Sequence, residues 1–230
     1  MKDFSKLEKI IGTKFKNEDL LKQSVVHRSY LNEHPDFGLP HNERLEFLGD
    51  AVLELVVTED IFRRFPEREE GDLTNWRASL VNAKMLSEIA GEIKLGGYLY
   101  LSRGESKDKG SKARQYILAN ALEALIGAIY LDRGIGAVTK FIKERILSKL
   151  DYILAHGLYL DPKSKFQEES QERTGATPHY KVLKETGPDH AKIFEIGLYV
   201  GGDLIATGKG SSKQEAQVEA AAKGLKKMGW

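Results

Sequence analysis

The spacing of apolar residues changes once along this chain, and that change sets its fold class. Through the first 150 residues apolar side chains recur at helical spacing, in Leu7–Ile11, Leu20–Tyr30, Leu45–Phe62, Leu80–Ile93 and Ile117–Tyr130, the period that lines one face of a 3.6-residue helix. A further helix is predicted from Gly136 to Ile153, and the Gly-, Ser- and Lys-rich stretch from Ser102 to Lys112 reads as a loop. Strand-like alternation is scarce there, so an all-α bundle is the natural architecture. After Asp161 the pattern differs. A short helical stretch, Ser164 to Arg173, precedes weak alternation in Tyr180–Glu185 and clean alternation of Phe194, Ile196, Leu198 and Val200, the mark of a half-buried strand. Gly201-Gly202-Asp203 reads as a hairpin turn and Leu204–Gly208 as the return strand. Ser211 or Ser212 is placed to cap a last helix in which Ala216, Ala220, Ala221 and Leu225 share a face. The expected organisation is α+β overall: an all-α domain over 1–150, a linker over 151–160 and an α-β-β-β-α domain over 161–230.

Composition enters by exclusion. With no cysteine, disulfides and thiolate metal sites are ruled out, and any metal must be held by oxygen or imidazole. A net charge of +1, from 35 basic and 34 acidic residues, argues against a uniformly basic surface but leaves room for separate acidic and basic patches. Met1 to Lys16 is charged throughout and lacks the apolar core of a signal peptide. No run of about 18 apolar residues exists to span a membrane, so a cytosolic protein with no membrane partner is expected.

Within the helical part, Asn42-Glu43-Arg44-Leu45-Glu46-Phe47-Leu48-Gly49-Asp50-Ala51-Val52 carries the most chemistry. On a helix Glu43, Glu46 and Asp50 fall at i, i+3 and i+7 and line one face, while Leu45, Leu48 and Val52 form the buried stripe. Like charges stacked on one face repel each other, and a cation among them reverses that cost. Asn120 and Glu123 repeat the i, i+3 spacing inside the very apolar segment Ile117–Leu131. A carboxylate there is costly to bury unless paired or metal-bound. Oxygen ligands alone point to Mg²⁺ or Mn²⁺ rather than Zn²⁺. By spacing alone, such acids are more often a solvated helix face than a metal site. His27 reads as a helix-packing or capping histidine.

Asn42 to Val52 resembles, residue for residue, the NERLEFLGDAV signature of the ribonuclease III family. His27-Arg28-Ser29-Tyr30 resembles the family's HRSY segment. Glu70-Gly71-Asp72-Leu73 with Arg77-Ala78-Ser79-Leu80-Val81 resembles its EGxL…RAxLV block, and Ile117-Leu118-Ala119-Asn120 with Glu123-Ala124-Leu125-Ile126-Gly127-Ala128 its ILAD…EALIGA block. Pro162 to Trp230 resembles a double-stranded-RNA-binding domain. The resemblance implies Mg²⁺-dependent hydrolysis of double-stranded RNA (with Mn²⁺ as a substitute), leaving 5′-phosphate and 3′-hydroxyl ends. It implies a role in ribosomal and messenger RNA precursor processing, a cytoplasmic homodimer and no organic cofactor. Carried over by position, it implies Glu46, Asp50, Asn120 and Glu123 as metal ligands, with Asp50 and Glu123 also in the catalytic set. Glu43 and Glu70 would be accessory catalytic acids, contributed across the dimer interface. The family pattern has Asp where this chain has Asn120. The alternative is therefore a duplex-RNA-binding protein of the same fold with impaired cleavage. Phe47 and Trp76 read as core or interface groups, since a duplex offers no unstacked base for them; Phe47-Leu48 with Trp76 is the expected dimer interface.

In the tail, the resemblance assigns RNA contact to Gln167 and Glu168 on the first helix and to His190 at the tip of the Gly187–His190 loop. Lys209 and Lys213 at the start of the last helix complete the set, where lysines and helix N-terminal amides meet phosphate. That geometry reads A-form shape and largely ignores sequence. Lys107, Lys109, Lys112 and Arg114 form a second candidate phosphate contact in the first domain.

Overall fold

Two of the periodic apolar runs are interrupted by cap residues, His27 and Asn82. The computed structural model describes residues 2–108, 110–159, 161–188 and 192–230, and the chain divides into two compact units, residues 1–159 and 160–230. The first unit carries α1 (Ser5–Ile11), α2 (Glu18–Ser24), α3 (Arg28–Glu33), α4 (Glu43–Arg64), α5 (Glu70–Val81), α6 (Ala83–Glu92), α7 (Arg103–Lys107), α8 (Lys112–Arg145) and α9 (Leu150–Ala155). The periodic run Leu20–Tyr30 is thus two helices. Between them Val26 bridges to Tyr100, and His27 caps α3, its Nδ1 accepting from the Ser29 amide at 3.3 Å. The run Leu80–Ile93 breaks at Asn82. Its side-chain oxygen accepts from the Met85 amide at 3.0 Å, while its Nδ2 donates to the Ala78 and Ser79 carbonyls at 3.0 and 2.9 Å. One asparagine closes α5 and opens α6.

Three other sequence expectations need correction. The Ser102–Lys112 stretch is not wholly loop: it holds α7, which Ser102 caps. The helix expected from Gly136 continues the one before it through a kink at Gly134, where φ is 78°, a left-handed value natural to glycine. Residues 151–159, read as a linker, belong to the first unit. Leu150 and Ile153 of α9 are buried in its core, and Tyr159 stands edge-on to Trp76 at 5.9 Å.

The pair α4 and α8 forms the spine of the first unit. Leu45, Val52, Leu53, Val56 and Val57 of α4 are buried together with Leu122, Leu125, Ile126 and Ile129 of α8. At the crossing the backbones nearly touch. A Cβ added to Gly49 would lie 1.7 Å from the Glu123 carbonyl oxygen, and one added to Gly127 would lie 2.3 Å from that of Leu45. Only glycine permits this approach. Asp132, farther along α8, accepts the Lys16 and Asn17 amides at 2.8 and 2.9 Å, which fastens the start of α2 to the spine.

The second unit carries α10 (Pro162–Thr174), β1 (His179–Thr186), β2 (Ile193–Val200), β3 (Asp203–Gly210) and α11 (Lys213–Met228). The strands form an antiparallel sheet in the order β1-β2-β3. Alternation in β2 buries Ile196, Leu198 and Val200, and Phe166 of α10 packs with Leu198, Val200, Ala220 and Ala221. Gly208 lets α11 sit directly on β3, since a Cβ there would meet the Ala216 carbonyl at 2.2 Å. No helix among the described residues is long and apolar enough to cross a membrane.

Candidate active site and RNA-binding surface

Because Gly49 lies against the Glu123 peptide, Glu46 three residues before it and Asp50 next to it on α4 come near Asn120 and Glu123 on α8. Burial, then the charges of Asp50, Glu46 and Glu54, push the Glu123 carboxyl up to about 7. Burial is also the largest cause raising the Glu46 carboxyl, followed by Glu43; a hydrogen bond from Asn120 opposes the rise, and Asp50 adds to it. Glu46, Asp50, Asn120 and Glu123 are therefore electrostatic neighbours across the α4–α8 crossing. As the side chains stand, no group of three acidic or histidine residues among the described residues is gathered as a metal would hold it. The donor set is all oxygen, three carboxylates and an amide, and suits a hard divalent ion.

Glu43 lies at the lip of this site, 3.8 Å from both Arg28 Nη1 and His41 Nδ1. With Glu46 and Asn120 it lines a cleft of about 610 Å³ that also exposes His27, Arg28 and Tyr116. Glu70 is not brought to this cleft within one chain. It sits at the start of α5, accepts from Thr74 Oγ1 at 2.7 Å, and lines a separate depression with Phe62 and Arg77. Trp76 is buried against Phe65 and is not available as an interface group. Leu48 likewise packs against the core. Phe47 is 81% exposed, and it is joined on α4 by Leu55 at 61% and Phe62 at 68%.

In the second unit, Gln167 and Glu168 are exposed on α10. Lys209 at the end of β3 and Lys213 at the start of α11 are exposed and pair weakly with Glu195 at 3.7 Å and Glu185 at 3.5 Å. Ser212 is the N-cap between them, accepting from the Glu215 amide at 3.1 Å. Glu219 further accepts the Lys209 amide. His190 lies outside the described residues, as does Lys109 of the second basic group. Of that group, Lys107 and Lys112 are exposed, whereas Arg114 turns inward and donates to the Gly96 carbonyl at 3.5 Å. It is a packing residue.

Compared with known proteins, residues 17–150 match the family described as Ribonuclease-III-like, and residues 162–228 the double-stranded RNA binding motif. The chain is 48% identical to a Ribonuclease 3 of Carboxydothermus hydrogenoformans over 219 residues, 95% of this chain and 93% of that one. The chain belongs to the ribonuclease III family. A Ribonuclease 3 of Borreliella burgdorferi is 43% identical over 97% of this chain and 91% of its own length. The solved nuclease domain of Ribonuclease III from Campylobacter jejuni, described for flexibility in a region involved in dimer formation, is 38% identical with a TM-score of 0.56. It covers 64% of this chain and 97% of that one. As a ribonuclease III, the chain joins an endoribonuclease domain to a double-stranded-RNA-binding domain, and divalent-metal use is in keeping with that family of nucleases.

Two further residues stand beside the acidic cluster of this ribonuclease III, Glu54 and Tyr116. Glu54 continues the acidic face one turn beyond Asp50 and is held by Arg77, Nε to Oε2 at 3.0 Å. The i, i+4 spacing from Asp50 was its signal. Tyr116 stands one turn before Asn120 on α8 and is half exposed; nothing in the sequence alone said which way it faced.

Proposed function

We propose that this chain is a Mg²⁺-dependent endonuclease of double-stranded RNA, with Mn²⁺ as a substitute ion. It leaves 5′-phosphate and 3′-hydroxyl ends and acts in the cytoplasm on ribosomal and messenger RNA precursors, without an organic cofactor or a membrane partner. The observation that carries this reading is the glycine-mediated crossing of α4 and α8, which brings the charges of Glu46 and Asp50 to bear on the Glu123 carboxyl beside Asn120. Those four residues would hold the ion. When bound, it supplies a water of lowered pKa and stabilises charge on the reacting phosphate. Asn120 stands beside Glu46 and would offer its amide oxygen to the ion. Glu43 and Glu70 act as accessory acids. Gln167, Glu168, His190, Lys209 and Lys213 grip the duplex. Incubation of the full chain with long duplex RNA tests the reading directly. Fragments should appear with Mg²⁺ and not with chelator; intact RNA in both would reject it.

The working unit is a homodimer. A duplex has two strands, and twofold symmetry supplies one acidic cluster for each. Support comes from α4, where exposed Phe47, Leu55 and Phe62 fall on a stripe beside the acidic face. Glu70, remote from the cluster in its own chain, would reach it in a partner. Sedimentation at micromolar concentration without RNA should give a dimer, and a monomer alone would contradict this.

Deleting residues 161–230 should weaken duplex binding at moderate salt, because the lysines that neutralise phosphate go with them, yet spare cleavage at low salt. A folded but inert truncation would show that the second unit is needed for chemistry.

Asn120 carries no charge and is a weaker hard ligand than carboxylate. If the difference is about 1–3 kcal/mol, Asn120→Asp should lower the half-activating Mg²⁺ concentration by roughly five- to 150-fold. An unchanged Mg²⁺ requirement would remove Asn120 from the ion's surroundings. A parent dead at every Mg²⁺ and Mn²⁺ concentration beside an active Asp variant would make this chain a binding protein.

A further inference from the structure

The cleft beside the acidic cluster has a cation that the fold does not use. Its walls carry three carboxylates, Glu43, Glu46 and Glu105. Burial holds the His27 imidazole below its ordinary pKa, so it adds no charge at neutral pH. Arg28 is the one permanently charged cation among the described residues that line the cleft. Its side chain is 72% exposed and, among the described residues, pairs only loosely with Glu43 at 3.8 Å, longer than a charge-assisted hydrogen bond. A guanidinium held this loosely is not fastening α3 to α4. Glu43 is in turn 3.8 Å from His41, so it keeps a neighbour if Arg28 swings away. A polyanion entering a cleft lined by carboxylates needs a cation to offset the repulsion, and a planar guanidinium binds phosphate oxygens two at a time.

We propose that Arg28 is a positioning residue for the substrate strand. It leaves Glu43 and grips a backbone phosphodiester flanking the one that is cut, on the Tyr116 side of Asn120. This rests on the endonuclease reading above. In the free protein Glu43 parks the guanidinium at the mouth of the cleft; in the complex the phosphate replaces it. Such a contact adds affinity common to ground and transition states, so its removal appears in KM rather than kcat.

The test uses the full chain with a blunt duplex RNA of mixed sequence. Binding is titrated in Ca²⁺ across a range of KCl, and cleavage is followed in Mg²⁺, for the parent, Arg28→Gln and Arg28→Lys. The expected result for Arg28→Gln is a slope of log affinity against log salt shallower by about 0.9 for each phosphate left without its cation. KM should rise about tenfold while kcat stays within about twofold. Arg28→Lys should keep the parent's slope, because it keeps the charge, and recover only part of KM, because it lacks the two-pronged geometry. A parent that binds and cuts duplex RNA beside an Arg28→Gln of equal slope and equal KM overturns the inference alone. So does an Arg28→Gln whose loss lies in kcat, or one whose loss follows a lowered unfolding temperature that Arg28→Lys shares. A parent that neither binds nor cuts duplex RNA overturns the endonuclease reading, and this inference with it.

Discussion

Glu123→Gln should stop cleavage of saturating duplex RNA while leaving its binding nearly unchanged. The side chains are almost the same size, so the packing around Leu122 and Ile126 holds. An anionic ligand is removed, however, and with it several kcal/mol of charge stabilisation, on the order of a thousandfold or more in turnover. Full turnover in the variant would remove Glu123 from the chemistry. The same substitution has a signature in stability. The folded-state carboxyl is pushed up to about 7, against 4.5 for the ordinary group. Between those values the folded protein holds a proton that the unfolded chain has released, so unfolding free energy falls as pH rises through that window. In chelator the parent's melting temperature should decline from pH 4.5 toward 7, and Mg²⁺ should restore it at the upper end. Glu123→Gln should flatten both responses. A parent whose melting is indifferent to Mg²⁺ at pH 7.5 would separate Glu123 from any ion site.

Gly49→Ala should cost more than any other glycine-to-alanine change in this chain's first unit. The new carbon would meet the Glu123 carbonyl oxygen at 1.7 Å and the Gly127 nitrogen at 2.9 Å. Both are backbone atoms of a buried helix and cannot turn aside, so α4 and α8 must part. Overpacking of this kind costs typically 1–3 kcal/mol and sometimes more. At the upper end the melting temperature falls by roughly 6–12 °C. Parting the helices also carries Glu123 away from Glu46 and Asp50, and a misplacement of about 1 Å is enough for a hundredfold loss of rate in the molecules that stay folded. Gly91→Ala is the matching control. It lies in α6 with nothing within 4 Å of the added carbon, and alanine is the better helix former by about 1 kcal/mol. Equal melting temperatures for Gly49→Ala and the parent would mean that the spine is not packed as described.

Much of the acidic cluster was legible because its order in the chain is its order in space. Glu46 and Asp50 are one turn apart on α4, Asn120 and Glu123 one turn apart on α8, and helical geometry makes each pair face one way. The helix ends were less legible. Asn82 and His27 interrupt periodic runs without disturbing the apolar count, since a cap changes the hydrogen bonding of one or two residues and leaves the pattern around it intact. Trp76 shows the opposite failure. Its size suited an interface, but Phe65 and Tyr159 enclose it, and burial by residues 11 and 83 positions away leaves no local trace. Arg114 sits among lysines in the sequence, yet it turns to the Gly96 carbonyl, a contact equally invisible to local pattern.

What the sequence determined by itself is the set of local facts: two patterns of apolar spacing, the faces that carry acids, and the order of elements in the second unit. These follow from backbone geometry within a few turns of helix or strand. Only the tertiary structure decided how the faces meet. The contact between Gly49 and the Glu123 peptide joins residues 74 positions apart, and that approach makes two unremarkable pairs of polar residues into one site. The same crossing leaves Glu70 outside it, in a depression of its own beside Phe62. Long-range approach of this kind depends on which side chains are absent from a helix face as much as on which are present, and a missing Cβ has no signal of its own until the partner helix is known.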